Sequence, residues 1–160
     1  MGQIGTIELK GENIFKGYWG MEEKTKESFK DDGFFITGDL AKKDENGYFT
    51  IVGRDKDMII SGGLNVYPKE IEDVINELPN ITESAVFGVQ HDDFGEAVVA
   101  AVVATDDKND GSQILDYVKD KIAKYKQPKK IIFMSNLPRN SMGKVQKNKL
   151  RENNKSLFKS

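Results

Sequence analysis

Four short runs in this chain combine residue types that bind or stabilise oxygen atoms carrying negative charge or hydroxyl protons. Thr37-Gly38-Asp39, placed at the end of a β-rich run, sets a carboxylate beside a glycine. Such a carboxylate can accept two hydrogen bonds from vicinal hydroxyls, as acidic residues do with the ribose of dinucleotides. The same three residues also suit an ordinary Asx turn. Gly53-Arg54-Asp55-Lys56-Asp57 offers the rigid fork of Arg54, matched to sugar or phosphate oxygens or to an ion pair with Asp55 or Asp57. Ile60-Ser61-Gly62-Gly63-Leu64 carries two adjacent glycines within a strand. There a backbone or a thin ligand can approach closely, or the strand can bulge before a helix. No Gly-Lys-Ser/Thr follows, so this is not a P-loop. Pro138-Arg139-Asn140-Ser141-Met142-Gly143-Lys144 ends on a lysine in a glycine-containing loop. That lysine is either a mobile point charge that reaches a phosphate or carboxylate oxygen, or a solvated loop side chain.

Other chemistry is excluded by what the chain lacks. It has no cysteine, which removes disulfides, thiolate metal sites and a cysteine nucleophile. Its single histidine, His91, lies in His91-Asp92-Asp93, and one histidine with two adjacent aspartates rarely encloses an ion, so no metal ligands are expected. No stretch approaches the roughly 20 apolar residues of a membrane helix. The first residues lack the basic-then-apolar pattern of a signal peptide. A cytoplasmic location and no membrane partner are therefore expected. With 38% hydrophobic and 31% charged residues, the composition is that of a globular chain and not a disordered one.

The net charge of −2 conceals a polarity. Residues 1–118 hold 11 Lys and Arg against 24 Asp and Glu, whereas residues 119–160 hold 13 against 2. A basic segment invites anions (nucleotide phosphates, CoA, nucleic acid or an acidic membrane face) or forms a solvated helix end. Lysines outnumber arginines and the interleaved aromatics of a base-stacking surface are absent, so nucleic acid is not the expected partner. A stand-alone binding or regulatory module with a basic C-terminal surface stays open as an alternative.

The elements that must position these runs follow from periodicity. Residues 5–10 alternate as a half-buried strand, and 22–30 read as a short polar helix stopped by Asp31-Asp32-Gly33. Residues 34–37 and 48–52 are β-rich and joined through Asp44-Glu45-Asn46-Gly47, giving a small antiparallel meander. Residues 53–57 form a charged joint, taken as the boundary between a β-rich piece, 1–55, and a lobe, 56–160. Residues 1–55 have too few apolar side chains to bury a core alone and read as a strip of a larger domain, with Met1 an artificial or alternative start. In the lobe, 58–60 resume as a strand broken by Ser61-Gly62-Gly63. Pro68 then opens a helix whose Ile71, Val74, Ile75 and Leu78 share a face. Strands at 84–89 and 97–105 flank a polar loop, 90–96. A helix from Gly111 carries the stripe Ile114, Leu115, Val118, Ile122 and Tyr125. A strand at 130–134, the loop to Lys144 and a helix to about Leu157 complete an α+β lobe.

Taken together and in order, these runs resemble the C-terminal part of the adenylate-forming superfamily: acyl-CoA synthetases, luciferases and peptide-synthetase adenylation domains. Gly17-Tyr18-Trp19, Gly33 through Leu40, Gly53-Arg54 through Ile60, and Pro138 through Lys144 carry the resemblance, which runs from about Gly5 to Leu150. Gly-Arg-Asp-Lys-Asp, Gly-Gly-Leu-Asn-Val-Tyr-Pro-Lys-Glu-Ile-Glu, His91-Asp92-Asp93-Phe94-Gly95-Glu96 and Gly-Lys-Val-Gln-Lys-Asn look most like malonyl-CoA synthetases. The resemblance implies a small lid of antiparallel sheet and helices, preceded by a β-rich strip of a large N-terminal domain. It implies an ATP-dependent ligase that forms acyl-AMP and then a CoA thioester, with Mg2+, ATP and CoA used by the complete enzyme and none held tightly here. By the same resemblance, Asp39 and Arg54 bind the ribose of ATP and Lys56, where many relatives have aspartate, is the hinge. The strand at Gly62 and Gly63 lines the pantetheine tunnel, and Lys144 bridges carboxylate and α-phosphate. No phosphate loop, acyl pocket or magnesium-binding glutamate is present, so the chain alone is expected to be inactive and to need an N-terminal domain as partner.

Overall fold

The computed structural model describes residues 2–105 and 111–159, which gather into two compact units, Met1–Lys56 and Asp57–Ser160. The first unit holds β1 (Ile4–Leu9), α1 (Glu22–Ser28), β2 (Phe35–Lys43) and β3 (Phe49–Arg54). The strands form an antiparallel sheet in the order β1-β2-β3. The turn before β3 works as its sequence implies: Asp44 Oδ1 accepts the Tyr48 N–H at 2.8 Å, and Gly47 takes φ 88°. Among the described residues of this unit only Leu40 and Ala41 are buried. A small aromatic group of Phe15, Tyr18, Phe29 and Phe35, with ring centroids 5.0–5.6 Å apart, supplies the rest of its packing.

The second unit holds the core. Its elements are β4 (Ile59–Ser61), β5 (Leu64–Val66), α2 (Pro68–Ile75), β6 (Ile81–His91), β7 (Gly95–Ala104), α3 (Gly111–Lys119), β8 (Lys130–Phe133) and α4 (Lys147–Asn153). One sheet runs β5-β4-β7-β6, and β8 adds to β7 in parallel beyond the single β4–β7 pair, Ser61–Gly95. Successive side chains of a strand face opposite ways, and here both faces are apolar. Val86, Val98, Ala100 and Val102 meet Ile71 and Ile75 of α2 and Ile114 and Val118 of α3. Ala85, Phe87, Val89, Val99 and Ala101 meet Leu137, Leu150 of α4, Leu157 and Phe158. The fold is thus α+β, a sheet covered by helices on both sides. Among the described residues, no helix is long and apolar enough to cross a membrane.

Several local readings change. The strand does end here, but Ser61 still belongs to β4, and Gly62 and Gly63, at φ 58° and 77°, form a two-residue loop joining β4 to β5. Positive φ at both loop residues is what a type I′ hairpin requires, so the glycine pair makes a hairpin that periodicity over three-residue strands could not reveal. The polar loop expected over 90–96 shrinks to Asp92–Phe94, because β6 and β7 stay paired as far as His91–Gly95. Tyr125 lies outside α3, which stops at Lys119 where the Gln127 side chain donates to the carbonyls of Lys119 and Ile122. The last helix ends at Asn153, and Asn154 Nδ2 donates back to the Leu150 carbonyl at 2.8 Å.

The charge polarity has a structural use. Lys121, Lys126, Lys147, Arg139 and Arg151 of the basic segment pair with Glu77, Glu70, Glu72, Glu83 and Asp57 of the acidic one. The Lys121 hydrogen bond holds the Glu77 carboxyl below its ordinary range, and Glu77 in turn raises the Lys121 ammonium. Among the described residues, five of the thirteen basic side chains of residues 119–160 are thus paired with the acidic segment within the lobe.

Candidate functional site

In the first unit the candidate ribose binder is built by an irregularity in β2. Between the pairs Thr6–Leu40 and Glu8–Ile36, β1 has one residue where β2 has three: Thr37, Gly38 and Asp39. Thr37-Gly38-Asp39 thus lies inside a strand, as a bulge, and not at a strand end. Gly38 takes φ 74°, which few side-chain-bearing residues tolerate. Thr37 Oγ1 pins the bulge by donating to the Ile7 carbonyl at 2.8 Å and accepting the Asp39 N–H at 3.0 Å. Arg54, paired with Asp39 across β2 and β3, reaches back over this bulge. Its Nε lies 2.8 Å from Asp39 Oδ1 and its Nη2 donates to the Thr37 carbonyl at 2.8 Å. Its ion-pair partner is thus Asp39, not Asp55 or Asp57. The second Asp39 oxygen has no hydrogen-bond partner among the described residues, and the side chain is 34% exposed. A carboxylate oriented by an arginine and open on one oxygen is suited to accept a ligand hydroxyl. Lys56 follows within the 3-10 turn Asp55–Asp57 and is the last residue of the first unit.

In the second unit the glycine hairpin and the lysine loop stand at opposite ends of one sheet. Ser61 pairs with Gly95, which pairs with His91, and the Gly62 N–H donates to the Phe94 carbonyl at 2.8 Å. Glu96 completes the anchorage by accepting the otherwise unpaired Ile60 N–H at 2.8 Å. A Cβ added at either glycine would meet nothing within 4 Å, so this surface is open. The lysine loop is tied to the other end of β6, where Arg139 pairs with Glu83. From His91 to Glu83 the strand runs on the order of 25 Å at its usual rise. Within the loop, Arg139 and Val145 form an isolated bridge, and Asn140 Oδ1 accepts the N–H groups of Met142 at 3.0 Å and Lys144 at 2.9 Å. Lys144 is exposed, and its ammonium has no partner among the described residues, unlike the paired Lys121, Lys126 and Lys147.

The sheet therefore presents two different tools at two ends: a closely approachable backbone turn and an uncommitted cation. Against known sequences, residues 70–144 match the family described as the AMP-binding enzyme C-terminal domain. That match takes in a little under half of the chain. Around this domain the likeness extends over nearly the whole chain. The long-chain-fatty-acid–CoA ligase FadD13 of Mycobacterium tuberculosis is 45% identical over 92% of this chain and 29% of its own length. The malonate–CoA ligase of Arabidopsis thaliana is 39% identical over 93% of this chain and 26% of its own. ATP-bound MatB from Rhodopseudomonas palustris superposes with a TM-score of 0.92 at 58% identity, over 99% of this chain and 32% of that one. The chain thus spans about three tenths of the length of the relatives it matches.

Some residues of this domain escaped the sequence reading. Glu96, Glu83 and Glu72 act through long-range partners and carry no local signal. Asn140 escaped as well, although Asn-Ser-Met-Gly is an Asx-turn sequence that could have pointed to it. Among the described residues no group of three or more His, Cys, Asp or Glu side chains is arranged to hold a metal ion.

Proposed function

We propose that this chain is the C-terminal portion of an AMP-forming acyl-CoA synthetase, comprising a mobile lid, from residue 56 onward, and a β-rich strip, 1–55, of the larger domain it closes upon. In the first half-reaction a carboxylate oxygen attacks the α-phosphorus of ATP and pyrophosphate leaves, giving acyl-AMP. In the second, the CoA sulfur attacks the acyl carbon and AMP leaves. Asp39, oriented by Arg54, accepts the ribose hydroxyls. Lys144 places its charge between the substrate carboxylate and the α-phosphate, where negative charge must be offset as the new bond forms. Lys56 is the hinge, at which a few dihedrals swing the lid. After that swing the Gly62-Gly63 turn lines the pantetheine path.

The observation that carries this reading is the separation of Lys144 from the Gly62-Gly63 turn along one sheet. Tools at two ends of a rigid lobe serve one reaction centre only in turn, which is what a two-step reaction with a rotating lid needs. The relatives' names span long-chain, medium-chain, indoleacetate, feruloyl and malonate ligases at 39–45% identity, so the acyl group is selected outside these residues. Malonate is the first substrate to test, given the motif wording most like malonyl-CoA synthetases and the 39% identity to the malonate–CoA ligase of Arabidopsis thaliana. ATP and CoA are the co-substrates, the N-terminal domain is the partner, and the cytoplasm is the site of action.

The test is the reading frame upstream of the Met1 codon and the protein it encodes. The expected frame adds a phosphate loop, and its product forms malonyl-CoA, AMP and pyrophosphate from malonate, ATP and CoA, while residues 1–160 alone do not. ATP-dependent thioester formation by the purified chain itself would refute the division of parts.

A further inference from the structure

The ring of hydrogen bonds around Asn140 fixes the shape of the Lys144 loop but not its aim. Asn140 donates its N–H to the Lys144 carbonyl at 2.9 Å, accepts the Gly143 N–H at 2.9 Å, and through Oδ1 accepts the Lys144 N–H. Gly143, at φ 77°, closes the tip. All these partners lie within the loop itself, so they would move with it. The side chain that joins the tip to the sheet is Arg139. Its Nη1 donates to the Gly143 carbonyl, next to Lys144, at 2.7 Å, and its Nη2 pairs with Glu83 on the edge strand β6, 56 positions away. One planar guanidinium thus spans loop tip and sheet, a bridge that a point-charge cation cannot make with the same rigidity.

Stability does not explain the pair. Arg139 and Glu83 side chains are 44% and 27% exposed, and ion pairs at that exposure contribute little to folding. Lys147–Glu72, by contrast, is 17% and 14% exposed and holds the start of α4. We propose that Arg139, clamped to Glu83, is a positioning residue that sets the reach of the Lys144 ammonium and so controls the first half-reaction alone. This rests on the reading of Lys144 as the adenylation lysine. A small displacement of a charge-bearing loop is enough, because rates respond steeply to misplacement of about 1 Å.

The test uses the complete ligase, with malonate-dependent ATP–pyrophosphate exchange for the first half-reaction and CoA capture of supplied malonyl-AMP for the second. Arg139→Ala and Glu83→Gln should each lower kcat of the first roughly tenfold with little change in the KM for ATP, and leave the second within about twofold. The double variant should be no slower than either single one, since both remove the same clamp. In a Lys144→Ala background, Arg139→Ala should have no further effect, because its action passes through Lys144. Glu83→Gln keeps the side-chain shape and guards against a folding defect in the alanine variant. Equal loss in both half-reactions, or an Arg139→Ala effect that persists without Lys144, would make the pair merely structural and overturn the proposal. If Lys144→Ala is slow but Arg139→Ala and Glu83→Gln run at the wild-type rate, the clamp alone fails. If Lys144→Ala itself runs at the wild-type rate, the reading of Lys144 fails and takes the clamp with it.

Discussion

The Asp39 carboxylate gives one oxygen to Arg54 and leaves the other without a partner among the described residues, at the crest of a bulge fixed by Thr37 and Gly38. A residue in that state neither fills a core nor caps a turn, and its remaining hydrogen-bonding capacity faces outward. If the open oxygen takes the ribose, Asp39→Ala should raise the KM for ATP roughly tenfold to a hundredfold, the range for hydrogen bonds to a charged group. The KM for CoA should stay unchanged, and steady-state kinetics with each substrate varied in turn checks this. Lys144 is the complementary case, a cation held by its backbone with its ammonium uncommitted. Its residue type, its glycine-containing loop and the following Val145-Gln146 were visible in the sequence. The Arg54–Asp39 pair was not, because residues fifteen positions apart meet only through the β2–β3 register.

Elements reveal where pattern reading succeeds. The continuous apolar runs of β6 and β7 and the stripe of α2 were legible because each is long enough to show its pattern. Strand β5 was not, since three residues hold too little pattern to distinguish a hairpin from a bulge. Its glycine pair makes a prediction separate from catalysis. With open space around both positions, Gly62→Ala or Gly63→Ala should cost about 1–2 kcal/mol each through backbone strain alone, and Asn should cost less. Urea denaturation gives the values. In the complete ligase, Gly63→Leu should then slow thioester formation beyond Gly63→Ala while sparing adenylation. A second element-scale prediction concerns the exposed edge of β6. Glu72 of α2 accepts the Val86 N–H at 2.7 Å and pairs with Lys147 of α4 at 2.6 Å, joining helices from the two faces across that edge. Glu72→Ala leaves a largely buried lysine and an edge amide unpaired, and should lower stability by about 2–3 kcal/mol. A change under half a kcal/mol in denaturation would show the clasp to be idle.

At the scale of the whole chain, the two units differ in what they bury. The second encloses two apolar clusters, one on each face of its sheet. The first leaves Trp19, Tyr48, Phe49 and Ile51 more than half exposed and lines an open trough with β1, Phe34, Ala41 and Phe49. A three-stranded sheet with one apolar face uncovered is marginal by itself. Amide exchange on the dilute monomer should therefore show strong protection in β6 and β7 and weak protection in β1 and β3. Uniform protection across both units would contradict this. The shortage of apolar side chains in residues 1–55 was legible in the composition, whereas the pairing of the basic segment with the acidic one depended on the tertiary fold.

The central claim, that one lobe offers Lys144 to the first half-reaction and the Gly62-Gly63 turn to the second, is tested most directly by Lys144→Ala in the complete ligase. A preorganised charge at the reacting phosphate is typically worth on the order of 3–4 kcal/mol, or roughly 10²–10³ in rate. Acyl-AMP formation should fall by that factor, and thioester formation from supplied acyl-AMP should remain within about twofold of wild type. Equal losses in the two half-reactions, or none in the first, would contradict the account.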